Sequence, residues 1–213
     1  MKRILVKICG LTRPDDVKAA VAAGADAVGF VFAHSPRRIS IETAVHLCGY
    51  VPKGILRVGL FLDQCRSGVD RVVRSVPLDV LQFHGTEEGN DCGVFKLPYL
   101  KAVVMKDTQS MQQAELDYPD AMGLLLDSHE AGKPGGSGKV FDWSLSRPVA
   151  KPVWLAGGLN AGNVSLAVSV VKPYAVDVSS GVETAPGVKD AAMIAAFINS
   201  VRKLENERSN GDQ

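Results

Sequence analysis

Cys9 ends an apolar run, Ile4-Leu5-Val6-Lys7-Ile8, and is followed at once by Gly10-Leu11-Thr12. A thiol placed where a strand gives way to a loop reads first as a reagent and only second as packing. An ordinary thiol has a pKa of about 8.5, so modest activation makes it a usable base. Asp127 ends a second apolar run, Ala121-Met122-Gly123-Leu124-Leu125-Leu126. An unperturbed aspartate is ionised at neutral pH, so service as an acid requires burial or a nearby anion to raise its pKa. A thiol and a carboxyl that flank a bound substrate could take one proton and give another. The plainer role for Asp127 is a helix-capping or loop-anchoring carboxylate.

Lys7 lies two residues before Cys9, so both side chains share one face of a strand. Asp177, in the later run Tyr174-Ala175-Val176-Asp177-Val178, is its candidate partner. A Lys7–Asp177 pair beneath Cys9 would adjust the acidity of the thiol, and the alternative is a purely structural buried pair.

Two glycine loops point to phosphate. Ala156-Gly157-Gly158-Leu159-Asn160 and Ser179-Ser180-Gly181 each follow a strand-like run. Without a Cβ, the backbone N–H groups of Gly157, Gly158 and Gly181 can approach an oxyanion, with Ser180 beside them. Arg37 and Arg38 are adjacent, so they cannot both enter one site; one of them could hold a carboxylate bidentately, leaving the other to solvent. Gln82 and His84 alternate on one strand face and read as ligand contacts. His34 and His84 have no second histidine or carboxylate at local ligand spacing, so no metal is assigned. Trp143 and Trp154 read as structural aromatics.

The elements that must position these groups alternate along the chain. Strands are expected over residues 4–9, 26–32, 55–62, 78–83, 100–105, 121–127, 152–156 and 174–178. Helices are expected between most of them, one capped by Thr12 with Pro14 in its first turn, one opened by Ser40, one beginning at Asn160, and a last one over 189–204. This period of about 25 residues suits a (β/α)8 TIM barrel, an α/β fold that typically needs about 250 residues and rarely fewer than 200. The 213 residues therefore form one barrel domain over 1–213, with a polar, frayed tail over 205–213. An open doubly wound sheet would place a Gly-rich turn after the first strand, and Cys-Gly-Leu-Thr stands there instead. In a barrel the loops after the strands gather at one mouth, and phosphate favours the loops after strands seven and eight. The loop over 128–140, rich in glycine with Lys133 and Lys139, is long for its kind.

A net charge of +1 gives no reason to expect nucleic acid or a membrane surface as partner. No apolar stretch is long enough to span a bilayer, and the N-terminus lacks a signal-peptide pattern. Cys9, Cys48, Cys65 and Cys92 are widely spaced with no C-x-x-C pair, consistent with free thiols in a cytoplasmic protein.

These blocks together resemble the phosphoribosylanthranilate isomerase family. Lys7-Ile8-Cys9-Gly10-Leu11-Thr12, Gly24-Ala25-Asp26-Ala27-Val28-Gly29-Phe30 and Gln82-Phe83-His84-Gly85 carry the resemblance. So do Leu126-Asp127, Gly135-Gly136-Ser137-Gly138-Lys139 with Phe141-Asp142-Trp143, the Gly157-Gly158 loop, and Val176 through Glu183. The resemblance implies an Amadori rearrangement of N-(5-phosphoribosyl)anthranilate in tryptophan biosynthesis, without a cofactor. Asp127 would be the general acid that opens the ring and Cys9 the general base. Arg37 would meet the anthranilate carboxylate, and the loop over 135–139 would be a mobile cover. Phe83 stands where leucine is usual and Ala156 where serine is common. The partner implied is a small phosphorylated molecule, and a monomer is favoured with a homodimer left open. Rival readings are a metal-dependent sugar-phosphate epimerase, a synthase using a lysine acid, and a catalytically silent phosphosugar-binding barrel.

Overall fold

The architecture is that of a computed structural model, which describes residues 3–128 and 140–211. The strands are β1 (Leu5–Cys9), β2 (Ala27–Val31), β3 (Leu56–Phe61), β4 (Val80–Phe83), β5 (Tyr99–Val104), β6 (Gly123–Asp127), β7 (Val153–Leu155) and β8 (Ala175–Val178). They pair in parallel in that order, and β8 pairs with β1 to close the barrel. The helices are α1 (Pro14–Ala22), α2 (Ile41–Cys48), α3 (Arg66–Ser75), α4 (Gly89–Gly93), α5 (Ser110–Asp117), α6 (Val164–Val171) and α7 (Ala191–Gly211). After β8 the chain adds a hairpin, β9 (Glu183–Ala185) with β10 (Val188–Lys189), before entering α7.

Strand alternation sorts the apolar side chains into two cores. Cys9, Ala27, Val31, Val58, Leu60, Val80, Leu100, Leu125, Trp154, Ala156 and Ala175 fill the barrel interior. Val6, Ile8, Phe30, Phe61, Leu81, Leu126 and Val176 face outward and pack under the helices with Val17, Leu47, Val164 and Phe197. Phe83 belongs to this outer layer, at 5.8 Å from Phe61, 6.1 Å from Phe95 and 6.0 Å from Tyr99 between ring centroids. The exchange of leucine for Phe83 is therefore a change in helix packing, on the face opposite Gln82 and His84.

Two expectations are corrected. Thr12 does not cap α1: Arg13 holds the cap position without a side-chain cap bond, and the Thr12 hydroxyl donates to the Gly187 carbonyl at 2.6 Å. Pro14, fixed in φ, starts the helix without that bond. The helix expected at Asn160 begins at Val164, because asparagine side chains brace the preceding turn. Asn160 N–H donates to Asn163 Oδ1 and Gly162 N–H to Asn160 Oδ1, each at 2.8 Å. Between β6 and β7 the described residues include a 3-10 turn, Trp143–Leu145.

α7 runs on to Gly211. Side chains near its end tie it to the start of β1. Arg202 donates to the Ile4 carbonyl at 2.7 Å and to Asp26 Oδ2 at 2.8 Å, and Glu205 accepts the Ile4 N–H. Asp26 also accepts the Val6 N–H at 2.9 Å. These bonds satisfy edge groups where the barrel begins. Arg202→Ala is expected to lower stability by about 1–3 kcal/mol through the lost charge-assisted bonds, read from the midpoint of urea unfolding; an unchanged midpoint would show that the clasp contributes nothing.

Candidate active site

The mouth of the barrel collects residues from the C-terminal ends of its strands. Cys9 ends β1 and Asp127 ends β6, three strands apart around the closed ring through β8 and β7. Cys9 is buried and Asp127 partly exposed. Beneath Cys9 lies the pair expected from strand alternation. Lys7 and Asp177 are register partners across β1 and β8, and Lys7 Nζ stands 2.8 Å from Asp177 Oδ2, with both residues buried. The sequence reading is borne out here in geometry.

The charges around Cys9 pull in opposite directions. Burial pushes the thiol above its ordinary range, while Lys7 draws it down and Asp177 takes back part of that effect. Burial works to lower the Lys7 ammonium, but the Asp177 carboxylate and the Cys9 thiol prevail and hold it above the ordinary lysine value. Lys7 is thus a cation fixed under the sulfur, as a thiolate would require.

Gln82 and His84 project from β4 into the same interior. The Gln82 side-chain amide and His84 Nε2 are in hydrogen-bond contact. Burial lowers the His84 pKa against the attraction of Asp127, so the ring is neutral at neutral pH. Gln82 Oε1 is buried and has no hydrogen-bond partner among the described residues. The loop after β4 is anchored from outside the barrel, since Lys101 Nζ donates to the Gly85 carbonyl at 2.6 Å and pairs with Glu87 at 2.8 Å.

The glycine loops meet at the opposite side. Gly157 has φ +80°, and a Cβ on it would stand 2.6 Å from Ser128 N and 3.0 Å from Asp127 Oδ1. A side chain there is excluded twice, by the left-handed backbone and by the end of β6. Gly158 follows with φ +66°. Gly181, in the 3-10 turn Ser180–Val182, lies against the Leu159 carbonyl, so the two loops touch directly. The absent side chains at Gly157 and Gly181 thus let the two loops and the end of β6 pack together.

Arg37 is buried and Arg38 exposed, which separates two residues the sequence could not. The Arg37 side chain forms a fork with Glu183, Nε to Oε1 at 2.8 Å and Nη2 to Oε2 at 2.6 Å. Glu183 also accepts Lys189 Nζ at 2.7 Å. Burial works against the Glu183 anion, yet Arg37 and Lys189 hold its pKa below the ordinary value. Glu183 and Lys189 are the site residues that sequence reasoning missed. Glu183 stood at the end of a quoted motif; Lys189 is its partner across the β9–β10 hairpin, whereas Arg37 comes from a distant loop that no local spacing joins to it. His34 is exposed. Among the described residues no group of three or more His, Cys, Asp or Glu could hold a metal ion, and no helix is long and apolar enough to cross a membrane. The expected cover over 135–139 lies outside the described residues.

Comparison with known proteins adds the family. The family model for N-(5'-phosphoribosyl)anthranilate isomerase matches residues 6–200. A protein of that name from Pseudomonas paraeruginosa is 49% identical over 204 residues, covering 95% of this chain and 97% of its own. The crystal structure of phosphoribosyl anthranilate isomerase from Thermotoga maritima superposes with TM-score 0.86 at 41% identity, over 94% of this chain and 99% of that one. A second crystal structure of such an enzyme, in complex with reduced 1-(o-carboxyphenylamino)-1-deoxyribulose 5-phosphate, gives TM-score 0.80 at 37% identity, over 94% and 99% of the two chains.

The thiols provide a direct check on the electrostatics. Hydrogen bonds from the Ser67 hydroxyl and the Gly68 N–H hold exposed Cys65 below the ordinary thiol range, opposite to Cys9. Site-resolved alkylation followed against pH should therefore show the Cys65 midpoint below that of Cys9. Coincident midpoints, or the reverse order, would contradict the assigned environments.

Proposed function

The chain belongs to the N-(5'-phosphoribosyl)anthranilate isomerase family, an enzyme family of tryptophan biosynthesis, and from that premise we propose how its own residues perform the reaction. The substrate is N-(5-phosphoribosyl)anthranilate and the product 1-(2-carboxyphenylamino)-1-deoxyribulose 5-phosphate. Asp127 is the general acid. It protonates the furanose ring oxygen, the bond from that oxygen to C1 breaks, and the anilino nitrogen's electron pair forms the Schiff base. Cys9 is the general base. It takes the proton from C2, and that bond's electrons give an enolamine, which tautomerises to the ketone. Oxidation at C2 balances reduction at C1, so the rearrangement needs no external oxidant or cofactor.

The observation that carries this reading is the placement of Cys9 and Asp127 at the rim of one closed barrel, with Gly157 packed against Asp127. A phosphate held by Gly157, Gly158, Ser180 and Gly181 would bring the sugar between thiol and carboxyl. Gln82 and His84 contact the sugar, a role supported by the buried and unpartnered Gln82 Oε1. Arg37 receives the anthranilate carboxylate. Lys7 offsets part of the cost of forming the Cys9 thiolate, and Asp177 keeps Lys7 charged.

Purified protein should quench the fluorescence of freshly made phosphoribosylanthranilate, and no loss above background would sink the proposal. Cys9→Ser and Asp127→Asn are each expected to lower kcat by a factor on the order of 10²–10⁴, typical of a lost acid or base, with KM little changed. Wild-type turnover in either variant removes its role.

The Lys7 role has its own readout. Because the Cys9 pKa is raised in the free protein, the base is formed as pH climbs, and the ascending limb of kcat/KM against pH should lie above the ordinary thiol range. The double variant Lys7→Met, Asp177→Asn leaves no lone buried charge and removes the cation beneath the sulfur. It should move that limb to still higher pH, whereas an unmoved limb would reduce the pair to a structural one.

A further inference from the structure

Arg37 poses a problem that the family reading leaves open: a guanidinium already forked onto one carboxylate is asked to bind another. The geometry of the fork resolves it. Glu183 occupies the side of the guanidinium formed by Nε and Nη2. Arginine has five N–H donors in a rigid plane, so the end formed by Nη1 and the second Nη2 hydrogen remains for a further bidentate contact. The aliphatic stem is fixed as well, because Arg37 Cδ lies 2.5 Å from where a Cβ on Gly10 would stand. Arg37 therefore sits beside the end of β1, next to Cys9.

Charge decides whether a second carboxylate is tolerated. Two anions sharing one arginine would repel each other, and Lys189 removes that conflict. Glu183 Oε1 accepts from Arg37, from Lys189 at 2.7 Å and from the Gly187 N–H at 3.3 Å. Lys189 Nζ also donates to the Ser179 carbonyl at 3.1 Å. Two buried cations thus face one buried carboxylate. The hairpin that carries Glu183 and Lys189 is itself tied down, by Thr12 at the Gly187 carbonyl and by Asp16, which accepts the Lys189 N–H at 3.2 Å.

We propose that Glu183 and Lys189 are positioning residues that make Arg37 a receptor for a single aromatic carboxylate: Glu183 fixes the plane of the guanidinium, and Lys189 cancels the charge of Glu183. The β9–β10 hairpin is then a specificity element for the ring end of the substrate, separate from the glycine loops that hold phosphate. The inference rests on the assignment of the substrate carboxylate to Arg37. Position and charge predict opposite signs for one variant. Were charge alone at work, Glu183→Gln would tighten carboxylate binding; with positioning dominant, it weakens it.

The test measures calorimetric affinities of the whole protein for two ligands. One is reduced 1-(o-carboxyphenylamino)-1-deoxyribulose 5-phosphate, and the other is its analogue without the ring carboxylate. Wild type should prefer the carboxylate ligand. Glu183→Gln and Lys189→Met should each lose about tenfold or more of that preference, the scale of a charge-assisted hydrogen bond, while affinity for the analogue stays within about twofold of wild type. The analogue also reports whether each variant keeps a working phosphate site. KM should rise in both variants with kcat changing less. Retained or increased preference in Glu183→Gln, alongside its loss in Arg37→Ala, would overturn the inference and leave the Arg37 assignment standing. Full preference in Arg37→Ala would overturn that assignment and the inference with it. Equal loss of both ligands in Glu183→Gln or Lys189→Met would mark a merely structural role and also refute the inference.

Discussion

Closure of β8 onto β1 is the constraint from which the site follows. The register that pairs Leu5 with Ala175 and Ile8 with Val178 also sets Lys7 opposite Asp177. Neither charge survives alone in the interior: a buried unpaired ion costs several kcal/mol, and removing one partner of such a pair typically costs about 3–5 kcal/mol. A slip of one residue would turn Lys7 toward the helices and Ile8 into the barrel. The pair therefore specifies the seam, in addition to whatever it adds to stability.

The same seam brings chemistry together. Because β8 lies beside β1, the turn that follows β8 stands next to Cys9, and the hairpin beyond it can reach the loop after β2. Arg37, Glu183, Lys189 and Ser179 meet there through side chains from three separate segments. On the other side, β7 lies between β8 and β6, so the Gly157 loop touches both Asp127 and the turn holding Gly181. The order of strands in the ring thus places the thiol and the carboxyl on opposite walls, with the strands that carry the glycine loops between them.

Electrostatics then divides the labour. Charged groups at the base of the mouth and under the hairpin are paired and buried, while burial lowers the His84 pKa and Gln82 Oε1 has no hydrogen-bond partner among the described residues. Cys9 stands between burial, which favours the thiol, and Lys7, which favours the thiolate. Burial prevails, and the thiol lies above its ordinary range.

The sequence by itself determined the alternation of strands and helices, and with it the barrel, because strand runs carry a period of two and turn residues mark their ends. It also placed Cys9, Asp127 and the glycine loops at the barrel mouth, since the end of a barrel strand fixes that position without knowledge of its neighbours. Even the Lys7–Asp177 pair was legible, because strand alternation and ring closure together locate it. What escaped were contacts that depend on which distant side chains meet. Thr12 was read as a cap and instead bonds to Gly187, and Arg202 and Glu205 of α7 bond to Ile4 at the start of the first strand. Arg37 and Arg38 were indistinguishable in one dimension. Only the tertiary structure decided between them, because Glu183, 146 residues further along the chain, pairs with the buried one.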